Sequence, residues 1–63
     1  MLHNKKVLYN ITAKYKGKTV IDDESEWFPS VGELVKMVDK ELILKVSEVN
    51  HINNDISIIL EDV

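Results

Sequence analysis

Sixty-three residues without a cysteine bound this chain to a single small α+β domain, residues 1–63, held together by apolar packing. Disulfides and thiolate zinc sites are excluded. The 44% apolar share, with fifteen valines and isoleucines, describes a chain that folds. The net charge of −3 is unevenly laid out. Residues 1–21 hold five lysines and no acid, whereas residues 22–63 hold three lysines and all eleven acids. No apolar run approaches the roughly 20 residues that span a bilayer. Val7 to Ile11 is too short and too polar for a signal-peptide core, so a cytoplasmic location with no membrane partner is expected.

Lys5 to Tyr15 predicts a strand, because Val7, Tyr9, Ile11, Ala13 and Tyr15 alternate with more polar positions. Lys16-Gly17 marks a turn, and Lys18 to Asp22 continues as a second strand. A three-residue loop with Gly17 as the left-handed bulge residue pairs Ile11 with Ile21 and keeps one face apolar. A two-residue loop would instead set Ile11 against Asp22. Asp22-Asp23-Glu24-Ser25-Glu26 follows as an acidic segment, then Trp27-Phe28-Pro29.

Ser30-Val31-Gly32-Glu33 fits the capping box, in which Ser and Glu satisfy each other's amides at a helix start. Val31, Leu34, Val35, Val38 and Leu42 fall on one helical stripe. The pattern predicts a helix from 31 to about 41. Ile43 to Val49 returns to strand character, Asn50 to Asp55 supplies a turn, and Ile56 to Leu60 reads as the last strand. The predicted core is Val7, Tyr9, Ile11, Ala13, Ile21, Val31, Leu34, Val35, Val38, Leu42, Leu44, Val46, Ile56, Ile58 and Leu60.

The order strand–strand–helix–strand–strand predicts a four-stranded sheet with one helix packed across one face. In the β-grasp form of that arrangement the first and last strands lie parallel at the centre. The hairpin from Ile11 to Val20, around Gly17-Lys18-Thr19, resembles the opening hairpin of ubiquitin-like folds. That resemblance implies a β-grasp-like fold and no ubiquitin-like activity.

No residue pattern names a reaction. His3 and His51 lack carboxylates at ligand spacing, and Gly17 and Gly32 are the only glycines, so neither a metal site nor a phosphate loop is indicated. The expectation is a non-enzyme with no cofactor and no metal. Three surfaces remain. Asp22, Asp23, Glu24 and Glu26 rim the aromatic pair Trp27 and Phe28, a composition suited to anchoring a protein partner. Leu8, Val20, Ile43, Val49 and Ile59 are expected on the sheet face away from the helix, where they suit self-association or partner binding. Lys14, Lys16 and Lys18 surround the first hairpin turn and provide the nucleic-acid alternative. Against that alternative stand the net negative charge and the absence of arginine. The leading expectation is a small protein-binding or regulatory module. It resembles the short acidic accessory proteins of phages and prophages that act on a host factor. A structural homo-oligomer is the third reading.

Overall fold

The computed structural model describes residues 7–63, so Lys5, Lys6 and His3 lie outside the described residues. Alternation sets the architecture. In β1 (Tyr9–Tyr15), Ile11 and Ala13 are buried between exposed Asn10 and Lys14. In β5 (Asp55–Asp62), Ile56, Ile58 and Leu60 are buried between exposed Ser57, Ile59 and Glu61. The two strands pair in parallel, with Ile11 beside Ile56 and Ala13 beside Ile58, so both apolar rows share one face. β2 (Lys18–Ser25) pairs antiparallel with β1, β4 (Leu42–Ile52) with β5, and β3 (Leu34–Met37) with β4. The strand order is β2-β1-β5-β4-β3 in one mixed sheet that curls into half a barrel. Its concave side carries the core, Ile11, Ala13, Met37, Leu44, Val46, Ile56, Ile58 and Leu60.

The predicted α+β, β-grasp-like fold is corrected: the sheet has five strands, and among the described residues there is no α-helix. Of the expected arrangement, the first hairpin and the parallel pairing of the first and last strands inside the sheet are present, and the likeness goes no further. The local capping signal is nonetheless real. The Ser30 amide donates to Glu33 Oε1 at 2.7 Å, one half of the capping box, and Glu33 N–H donates to the Ser30 carbonyl at 3.1 Å. Gly32 then takes φ +96°, a left-handed value that no α-helix contains. Ser30–Glu33 is therefore a tight turn with glycine at its third position, as type II turns require. The chain leaves it extended. Gly32 N–H donates to the Val46 carbonyl and Val46 N–H to the Glu33 carbonyl, which leads β3 onto β4.

Physics favours this outcome. An isolated helix of three turns is marginal in water, and three valines weaken it further. As a strand, the segment gains main-chain hydrogen bonds to β4 and buries Met37, which the helical stripe omits. Of that stripe, Val31, Leu34 and Val38 are exposed, as is Val7 of the predicted first strand. A single 3-10 turn, Val38–Lys40, and Glu41 at φ 49° connect β3 to β4.

The hairpin turns are shorter than expected. Lys16 and Gly17 both take positive φ, 52° and 79°, the signature of a two-residue type I′ loop. The predicted Ile11–Ile21 pairing is replaced by Ala13 opposite Ile21 and Ile11 opposite Asp23, with a register shift beyond Ala13 that leaves Val20 unpaired with β1. This bulge lets Val20 and Ile21 both rest half-buried against the core. At the other hairpin, Asn53 supplies the positive φ that an asparagine tolerates. Among the described residues no helix is long and apolar enough to cross a membrane.

Two substitutions test this fold, the second separating it from a helix-covered sheet, and urea denaturation reads both. Leu44→Ala empties a site that is 1% exposed and costs roughly 2–5 kcal/mol. Val38→Asp, which a packed helix would not survive, changes stability by no more than about 0.5 kcal/mol, because Val38 is 77% exposed.

Candidate functional site

A half-barrel leaves its two edge strands, β2 and β3, on either side of an open concave face. The crossover between them covers only part of it. Ser25 Oγ accepts from the Trp27 amide at 3.1 Å, turning the chain inward at the end of β2. Phe28 then packs edge-to-face on Tyr9 of β1 and on His51 of β4, with ring centroids 5.1 and 5.3 Å away. Tyr9 and His51 meet at 5.5 Å, which completes a three-ring cluster. Pro29 follows, buried. Together these residues plug one end of the concave face.

Beyond the plug a narrow cleft remains over a floor whose side chains are themselves buried. A cleft of about 260 Å³ has Ile11, Ala13, Ile58 and Leu60 as its floor, Ile21 on the β2 side and Val35 on the β3 side. Asp23, Glu24 and Ser25 form the β2 lip, and Trp27, 64% exposed, stands at the rim with Pro29. The lining is predominantly apolar. Asp23 is turned toward the core face by its register with Ile11, and its Oδ1 accepts from the Glu24 amide at 2.8 Å.

The predicted site residues are thus divided. Asp23, Glu24 and Trp27 meet at one cleft. Phe28 belongs to the ring cluster and is a packing residue. Asp22 pairs with Thr12 in the register of the outer face, and Glu26 is exposed just past β2. The acidic segment is an edge strand through Ser25, not a loop.

The second predicted surface is not a single patch. Val20 and Val49 pack against the core, leaving Leu8, Ile43 and Ile59 exposed. Ile59 lies between Lys14 of β1 and Glu48 of β4, so polar groups interrupt the row. The three hairpin lysines do not converge either. Lys14 belongs to the outer-face row of β1, while Lys16 and Lys18 border a shallow depression with Tyr15 and Lys40. Lys16 is engaged locally: its ammonium lies 5.3 Å from the Tyr15 ring and 3.8 Å from Asp62 Oδ2. The Tyr15 hydroxyl, with Asp62 second, holds the Lys16 ammonium above its ordinary pKa. Tyr15 also donates a hydrogen bond to Asp62.

Among the described residues no cluster of three histidine or carboxylate side chains is placed to hold a metal ion. Sequence reasoning missed the cleft floor and the packing role of His51, which it placed within the Asn50–Asp55 turn. Ile11, Ala13, Ile58 and Leu60 carry only the signal of core strand positions, and nothing in their pattern says that the cover above them is incomplete. Comparison with protein-family models, curated proteins and solved structures gives no match.

The division between packing and rim is measurable by denaturation. Phe28→Ala removes two ring contacts and costs about 2 kcal/mol. Trp27→Ala shifts stability by no more than about 0.5 kcal/mol, because its side chain is mostly in solvent.

Proposed function

We propose that this chain is a protein-recognition module whose working surface is the cleft between β2 and β3. The observation that carries the reading is the juxtaposition of an apolar floor, an acidic lip and an exposed tryptophan. Large exposed aromatics beside desolvated pockets are the usual energetic anchors of protein interfaces. At about 260 Å³ the cleft is at the small end of ligand pockets. That size suits side chains of a polypeptide better than a bulky cofactor. A regulatory, non-catalytic role in the cytoplasm belongs to the same proposal, on the cysteine-free composition and the absence of any catalytic motif. Short accessory proteins that act on a host factor are the class this description resembles.

Selection from a random peptide display library tests the reading. Selected peptides are expected to perturb the resonances of Ile58, Leu60 and the Trp27 indole. Trp27→Ala weakens them about tenfold or more, as truncation of an anchor does. Peptides that bind only elsewhere, or equally well to Trp27→Ala, would overturn it.

A further inference from the structure

Resting on that reading, we infer that the ligand of the cleft is an extended basic segment that adds as a strand to the outer edge of β2. β2 is the last strand on its side of the sheet, and its outer edge has no strand partner among the described residues. Main-chain edges of this kind accept a further strand, whose alternate side chains then point to opposite faces. Natural sheets protect such edges, and here Asp23 does so: its carboxylate occupies the Glu24 amide. The carbonyl of an incoming strand replaces that contact and releases the carboxylate.

Charge selects the occupant. Asp22, Asp23 and Glu24 are consecutive in β2, so they present carboxylates to both faces of any strand laid beside them. Like charges placed opposite them are destabilising, and lysine or arginine is favoured. On the concave side, an incoming residue next to Ile21 enters the cleft and meets Val35. The recognised pattern is therefore alternation, with basic residues on the outer face and apolar residues over the floor. A second copy of β2 fits less well, because it brings three acids of its own and a single lysine, Lys18.

The test uses the full chain and three short synthetic peptides that alternate isoleucine with lysine, with serine or with glutamate. The lysine peptide is expected to bind at low salt, shift Trp27 fluorescence and slow hydrogen exchange of the β2 amides that point away from β1. Asp22→Lys with Glu24→Lys, checked for folding by circular dichroism, weakens it about tenfold, and Asp22→Asn with Glu24→Gln about threefold. The glutamate peptide is expected not to bind. Equal binding of the serine peptide, or binding without β2 protection, overturns the basic-strand inference and leaves the cleft reading intact. If no peptide, selected or synthetic, perturbs Trp27, both fail. Protection of β2 without peptide, accompanied by dimers in sedimentation, assigns the edge to a second copy and overturns the inference.

Discussion

The parallel pairing of β1 with β5 is the constraint on which the rest depends. It joins Asn10 to Asp55, whose side chains bond at 3.1 Å across forty-five positions of sequence. Every residue between must leave that pair and return to it. The chain does so by laying β2 on one side and β4 with β3 on the other. Ala13 at the centre has no exposed surface, and a larger side chain there would push Ile58 and Ile21 apart.

A single sheet with one apolar face cannot bury that face by pairing alone. Curvature meets part of the need, by turning Val35 and Met37 of β3 over the same concavity that β1 and β5 line. The crossover meets another part through Phe28 and Pro29, clamped by Tyr9 and His51. The remainder is the cleft. It is thus a by-product of covering a five-stranded sheet with one short connection instead of a helix, and its apolar floor is the same row of side chains that forms the core. The proposed binding surface and the stabilising core share residues, so most of the cleft cannot be altered without altering the fold. The rim residues Trp27, Asp23 and Glu24 are the exceptions.

Apart from the parallel pairing of the first and last strands, what was legible in the sequence was short-range. Period-two alternation placed β1, much of β4 and β5, and both hairpin turns fall within the segments that turn chemistry marked, Lys16-Gly17 and Asn50–Asp55, although each closes over only two residues. Ser30 and Glu33 do interact as their spacing implies. The error came from what that contact means, since Ser-x-x-Glu closes a turn as readily as it opens a helix, and Gly32 decides between them by taking φ +96°. Over so short a run, Leu34 and Val35 fit a helical stripe and a strand alike. Only pairing with β4, across the short Val38–Glu41 connection, separates the two. The bulge at Val20 is similar: one extra residue in β2 moved Val20 to the core, against a strict alternation count. Of the site, Trp27 and its acids were visible as composition. The floor beneath them was not, because openness is a property of the sheet's curvature and of no local pattern.

The β1–β5 pair also bears on how the molecule comes to exist. The hairpins β1–β2 and β4–β5 close over two-residue turns and form locally, within microseconds. Neither has a complete core by itself, since the buried rows of Ile11 with Ala13 and of Ile56 with Ile58 come side by side only when β1 pairs with β5. During synthesis the β1–β2 hairpin must therefore wait, with its apolar row uncovered, until Leu60 has left the ribosome. The contacts that join the two hairpins are non-local, and such contacts form more slowly than the hairpin turns. Until then both the β1 edge and its apolar row are open to misassociation with other chains.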